Sequence, residues 1–385
     1  MRMGCDAALV PCGGYGEQQV RRALEQALEL TGGLSFVRPG MTVALKVNLV
    51  SAMQPERAAT VHPELVCALV RMLRARGANV VIGDSPGGLY TPAHLRRVYD
   101  LCGMRQAEAL GAQLNEDVTR TEADHPGAVQ ARRFPFTAWL GRADAVIGVS
   151  KLKSHGMMGM TNAVKNFFGV IPGTIKPEYH YRYPRAEDFA DVLVDLCEYC
   201  RPSLCVCDAV VGMEGNGPTQ GTPRHIGCIA AARSAHALDL ACAALIGLRA
   251  QDVPTLAAAV RRGLCPAEAS ALQLAGEART LRVPGFRTAP AQRRMHFHLA
   301  GSGPAGRALD GIVGGVLTPR PELRRSACVG CAACANICPA KAITMKNGRP
   351  VICRSRCIRC FCCQEFCPAG AMRVGRKLLP RLLGK

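Results

Sequence analysis

Two cysteine runs carry the most specific chemistry in this 385-residue sequence. Cys328, Cys331, Cys334 and Cys338 precede Pro339, and Cys357, Cys360, Cys363 and Cys367 precede Pro368. Each run reads C-x2-C-x2-C-x3-C-P, the spacing that ligates a 4Fe-4S cube. The two-residue spacers wrap a tight loop, so that three thiolates converge on one cube. The fourth cysteine lies a helical turn further on and reaches the other cube. By that rule Cys328, Cys331, Cys334 and Cys367 hold one 4Fe-4S cluster, and Cys357, Cys360, Cys363 and Cys338 hold a second. Structural zinc sites instead pair two C-x2-C knuckles, without a third cysteine and a following C-P. Two such cubes imply single-electron chemistry.

A second group of chemically capable residues lies upstream. Lys151, Lys153, His155 and Lys165 fall in one stretch with Thr161 and Asn166, directly after a strand expected over 144–149. Lys46 and Asn48 end another strand, Asp84 and Ser85 follow a third, and Asp208 lies on a fourth. Glu214 and Asn216 open a glycine-rich loop that runs to Arg224. Cations, hydroxyls and amides gathered at strand ends suit a small anionic ligand, a carboxylate or a phosphate. Thr161 or Asn162 is placed to cap the helix that holds Lys165, adding helix-end potential at the same point. His155 is the expected proton donor because its ordinary pKa lies nearest neutrality, with Lys165 second. The glycine loops over 83–88 and 212–221 match neither a P-loop nor a G-x-G-x-x-G opener, and read as turns that admit close backbone approach. Cys197, Cys200, Cys205 and Cys207 continue apolar faces, so they read as small buried residues rather than a third metal site.

The elements that must position these residues alternate. Strands are expected over 7–10, 41–50, 79–83, 144–149, 203–211 and 226–231, and helices over 17–30, 62–76, 92–110, 187–200 and 235–248. That order implies an α/β fold, a mostly parallel sheet with flanking helices, whose ligands bind at the carboxyl ends of strands. Three regions follow: an α/β domain over 1–250, a helical extension and connector over 251–317, and a small α+β two-cluster domain with a basic tail over 318–385. Asn347-Gly348 between two short β-rich segments marks a hairpin inside the last.

Lys151-Leu-Lys-Ser-His155, the stretch Thr161–Gly169 and the loop Glu214-Gly-Asn-Gly-Pro218 resemble signatures of the family catalogued as domain of unknown function 362. The resemblance covers residues 5–250, and the 318–385 segment resembles a bacterial two-cluster ferredoxin, a module often fused to that family. It implies iron–sulfur binding and a redox role, and no substrate class. Ser154 stands where the family pattern has Thr, and Asn162 where it has Gly.

The formal charge is +19, of which 14 basic and 2 acidic residues place +12 in residues 318–385. Two oxidised cubes, at about two negative charges each, cancel roughly four of these. The basic stretch lacks interleaved aromatic residues, so nucleic acid is not the expected partner, whereas an acidic redox protein is. The opening residues lack an apolar signal region, and no apolar run reaches membrane-spanning length. With thirteen cysteines outside the motifs, the expected setting is a reducing, anaerobic cytoplasm. These features together suggest an iron–sulfur oxidoreductase that passes electrons to a small anionic substrate or cofactor in the α/β domain. The alternative is a non-catalytic ferredoxin-like carrier, or an activator that docks to a partner metalloenzyme.

Overall fold

The structure is a computed structural model that describes residues 4–173, 175–288 and 319–375. In chain order the α/β part contains β1 (Ala7–Pro11), α1 (Glu17–Leu30), β2 (Thr42–Val47), α2 (Pro63–Arg74), β3 (Asn79–Gly83) and α3 (Pro92–Leu101). It continues with β4 (Ala112–Leu114), β5 (Arg120–Asp124), β6 (Arg133–Thr137), β7 (Ala145–His155), β8 (Gly159–Thr161), α4 (Ala163–Asn166) and α5 (Lys176–Arg182). It closes with α6 (Ala186–Cys200), β9 (Leu204–Glu214), β10 (Thr222–Ala232), α7 (Ala235–Leu245), α8 (Pro254–Arg261) and β11 (Leu274–Ala275).

Nine strands form one sheet in the order β11-β1-β10-β9-β7-β2-β3-β4, with β8 paired to β7. The five strands β9-β7-β2-β3-β4 are parallel, and β10 runs antiparallel to both β9 and β1. The period of two along each strand splits the sheet's apolar residues between two cores. Val43, Leu45 and Val47 of β2 face α1, α2 and α3, whereas Ala44 faces the opposite layer, where α4, α6, α7 and α8 pack. The helices read cleanly because their apolar stripes are regular: α1 buries Val20, Ala23, Leu24, Ala27 and Leu28.

Two expectations need correction. The strand expected to end at Val149 continues as β7 to His155, because a hairpin into β8 (Lys153 opposite Thr161) supplies partners where β2 has ended. Lys151, Lys153 and His155 therefore stand on a strand rather than beyond one. The helix expected over 92–110 stops at Leu101, since Gly103 turns left-handed and restarts the chain as a 3-10 turn over Met104–Leu110. The polar region 113–133 forms β4 and most of the separate β5–β6 hairpin. Across residue 250, α8 packs on α6 and β11 pairs with β1. The part of the connector over 289–317 and the tail over 376–385 lie outside the described residues.

The cysteine-rich module contains β12 (Arg320–Leu323), α9 (Ala333–Asn336), β13 (Ile343–Lys346), β14 (Arg349–Ile352), α10 (Cys362–Glu365) and β15 (Met372–Gly375). β12 pairs with β15, and β13 with β14 around Asn347-Gly348, both left-handed as the expected two-residue turn requires. Its two halves repeat at 29 residues down to the backbone. Left-handed conformations occur at Gly330 and Arg359, at Ala332 and Phe361, and at Lys341 and Gly370. Among the described residues no helix is long and apolar enough to cross a membrane.

Candidate functional site

The carboxyl ends of β2 and β3, the β7–β8 hairpin, and α4 with α5 form one side of a small cleft, with a cavity volume of about 70 Å³. Asn48, Asp84, Ser85, Lys153, Thr161, Lys165, Asn166, Phe168, Lys176 and His180 line that side. The other side is the second half of the cysteine-rich module, through Cys362, Glu365 and Phe366.

A rigid base underlies the first wall. The fully buried Lys46 Nζ lies 2.7 Å from Asp84 Oδ1 and donates to Asn166 O at 2.9 Å. Asp84 also accepts from the backbone N–H groups of Leu49 and Ser85, each at 2.8 Å. Lys153 donates to Asn48 Oδ1 at 2.7 Å and to Ala59 O at 2.6 Å. Lys176 donates to the carbonyl of Ser85. Lys165 and Lys176 stand 5.4 and 5.7 Å from the centre of the Phe168 ring, where the ring's quadrupole favours them. Lys165 makes no hydrogen bond or ion pair with any described residue.

The electrostatics of the cleft are dominated by desolvation of its cations. Burial, then the charges of Lys165 and Lys151, pushes the Lys153 ammonium down to about 7. Burial likewise takes Lys176 to about 7 and lowers Lys165. His180 is driven to about 3 by burial and is neutral. Such shifts gather where a site is arranged for chemistry or for a charged ligand.

Other expected site residues lie elsewhere. Lys151 pairs with Asp208 at 2.9 Å and donates to the Tyr15 hydroxyl at 2.7 Å, a buried network that stacks Tyr15 on His62 away from the cleft. Glu214 pairs with Arg287 at 2.8 Å. Asn162 makes no capping hydrogen bond; the Asp239 carboxylate takes the N–H groups of Ala163 and Val164 at 2.7 and 3.3 Å instead. The short α4 therefore presents its N-terminus to α7 and not to a ligand. His155 does not line the cleft either. Its Nδ1 accepts from the N–H groups of Met157 and Met158, and its Nε2 lies 3.0 Å from Glu365 Oε1. Burial and the Lys165 charge press the imidazole to about 4. Burial alone would raise Glu365, but His155 and Lys165 hold it at about 2. Cys205 and Cys207 are buried, and the Cys197 thiol comes within 4.8 Å of Glu198 and His236, which already meet each other at 2.9 Å.

The module docks through hydrogen bonds as well. Thr219 Oγ1 donates to Glu365 O at 2.9 Å, Gln220 Nε2 to Cys367 O at 3.0 Å, and Gln364 Nε2 to Asn216 O at 2.8 Å. Asn216 Oδ1 accepts from Val374 N at 3.1 Å. The glycine-rich loop thus approaches another strand and the module, and a Cβ at Gly217 would collide with Ser154 O. Glu365, Lys176, His180 and Phe168 were not visible as site residues. For Glu365 a signal existed. At the 29-residue offset Cys362, Gln364, Glu365 and Phe366 replace Ala333, Ala335, Asn336 and Ile337, so the second repeat alone carries groups that an α/β surface must meet.

The cysteines suit cluster ligation. Cys328, Cys331, Cys334 and Cys367 line a common cavity. Burial raises the Cys363 thiol, and the neighbouring Cys360, Cys357 and Cys338 raise it further. In each half the N–H four residues on donates to the fourth sulfur at 3.2 Å, Ala342 to Cys338 and Ala371 to Cys367. Such N–H···S bonds and left-handed loops are what thiolate-held anionic groups require.

The family described as "Domain of unknown function (DUF362)" matches residues 43–244, and a 4Fe-4S binding domain matches residues 321–344. A thylakoid-associated protein of Synechocystis sp. (strain ATCC 27184 / PCC 6803 / Kazusa) is 33% identical over 258 residues, 66% of this chain and 78% of the relative. Among solved structures, the lactate racemase apoprotein from Thermoanaerobacterium thermosaccharolyticum matches 58% of the chain at 11% identity and a TM-score of 0.37. A Thermotoga maritima protein matches 54% at 11% identity and 0.31. The chain spans about half the length of each, 53% in both cases. The β7–β8 lysine stretch and the loop that seats the module both lie within the matched span, and the chain belongs to the DUF362 family, with a 4Fe-4S binding domain following.

Proposed function

We propose that this protein is an oxidoreductase whose module holds two 4Fe-4S clusters and delivers their electrons to a small anion in the cleft. When bound, the clusters supply electrons one at a time. Cys328, Cys331, Cys334 and Cys367 would hold the first, and Cys357, Cys360, Cys363 and Cys338 the second. The observation that carries the reading is the shared wall: the second cysteine repeat itself closes the cleft, through Cys362, Glu365 and Phe366. Lys153, Lys165 and Lys176 hold the anion and provide protons as electrons arrive, Phe168 orients two of them, and Glu365 with His155 fixes the module against the α/β layer. The first repeat faces outward, with Cys331 and Val329 exposed, and exposed Arg324, Arg325, Lys341 and Lys346 surround it. That end suits entry of electrons from a small acidic one-electron carrier.

Native mass spectrometry on anaerobically purified protein, with iron and sulfide counted on the same sample, tests the proposal. About eight irons are expected, falling to about four in Cys363→Ser. Fewer than two cubes in the parent protein would defeat the two-cluster reading.

A further inference from the structure

The cleft contains more positive charge than its own residues cancel. Among the described residues Lys153, Lys165 and Lys176 line it with Asp84 and Glu365 as its acids, of which Asp84 pairs with the underlying Lys46 and Glu365 lies against His155. His155 and His180 are neutral, held so by burial first. The cluster charge does not cancel this excess, because the module's described residues carry their own basic surplus of ten Lys and Arg against two acids. The α/β wall also contains buried polar atoms that no described group satisfies, Ser85 Oγ and His180 Nδ1 among them. Both residues are more than nine-tenths buried. Buried polar atoms are nearly always paired, so orphans in a cleft wall mark the places a ligand fills.

We propose that the cleft is built for a small dianion, held by Lys165 and Lys176 with Ser85 Oγ and His180 as neutral partners, and that binding takes up protons from solvent. The inference rests on the ligand site proposed above and specifies its charge. Empty, the crowded ammonium groups shed protons near neutral pH; a dianion restores the charged forms and so draws protons in. Affinity therefore falls as pH rises above about 7, the value to which burial presses Lys153 and Lys176. The charged and titratable groups facing these lysines are Lys46, Lys151, Asp84, Glu365, His155, His180 and Cys362.

The experiment is titration calorimetry of the full, cluster-loaded chain with sulfate, whose charge is constant across the range, in two buffers of different ionisation heat at pH 8. One site is expected, with uptake of about one proton, and chloride at equal ionic strength should not compete. Lys165→Met should weaken sulfate by about tenfold to a hundredfold without loss of iron. Lys176→Gln should do the same, and Ser85→Ala decides the matter if either lysine variant fails to fold. Displacement of sulfate by a phosphate monoester assigns the site to phosphate; displacement by succinate assigns it to dicarboxylates. Competition by chloride, a heat independent of buffer, undiminished binding in the variants, or displacement by neither organic anion would overturn the proposal. Iron, sulfide and dithionite reduction measured on the same sample keep the outcomes apart. Sulfate binding without reducible clusters defeats the electron-transfer reading and leaves the dianion site standing.

Discussion

Asp239 shows how a single residue can determine what a neighbouring element offers. Its carboxylate takes two N–H groups at the start of α4, the segment that carries Lys165 and Asn166. Burial, the largest effect, raises it to about 7 against the helping N–H bonds and His236. The folded chain therefore holds a proton between about pH 4 and 7 that the unfolded chain has lost. Stability falls as pH rises through that window and levels off above it. Asp239→Asn keeps one acceptor oxygen and cannot ionise, so its urea midpoint should vary less between pH 5 and pH 7.5 than that of the parent. An unchanged pH slope would mean that another group controls it. The same residue explains why the cap at Asn162 could not be read correctly. Helix-cap preferences are local, whereas the group that took the N–H bonds comes from α7, more than seventy positions away in sequence.

At the scale of elements, periodicity was the readable quantity. α1 ends where its apolar stripe ends, and β3 spans the residues expected of it. β7 ran six residues past its expected end because its extension borrows partners from β8 and β9, a non-local pairing that a strand's own alternation does not announce. Lys46, Asn48, Asp84 and Ser85 lie together, since parallel strands bring their carboxyl ends to one edge. Lys176 and His180 were not, since α5 follows no motif and reaches the cleft only through packing. Contact between the layers depends on small residues. At Gly87 a Cβ would fall within the Phe366 ring, so Gly87→Val should prise the second repeat from β3 without unfolding either part. Hydrogen exchange should quicken at 216–220 and at 361–366 in that variant while iron content holds. Equal protection in the two proteins would show that the collision is absorbed elsewhere.

At the scale of the whole molecule the two halves of the module have different surroundings. One lies against the α/β layer, with Cys360, Cys362, Cys363 and Cys367 buried; the other presents Cys331, Val329 and Val351 to solvent. That asymmetry gives the proposed electron path a direction, from an exposed basic end to an enclosed cleft. Reduction by a small acidic carrier should slow as salt rises, because attraction between exposed charges is screened within about 10 Å at 0.1 M. Charge reversal at Arg325 and Lys346 should lower the rate by about tenfold or more at low salt and remove most of the salt dependence, as stopped-flow reduction would show. Rates indifferent to both would place the entry point elsewhere.

The divided wall of the cleft has one further consequence. A ligand that touches Lys165 on one side and the Glu365 segment on the other contributes to holding them together. Reciprocity then requires that whatever tightens the docked module tightens the ligand by the same factor. Occupancy of the proposed site and assembly would then be one equilibrium, with the anion acting as a clasp. The α/β part without residues 319–375 would accordingly be a poor reporter of affinity, because it lacks the wall that closes the cleft and leaves His155 and Lys165 open to water.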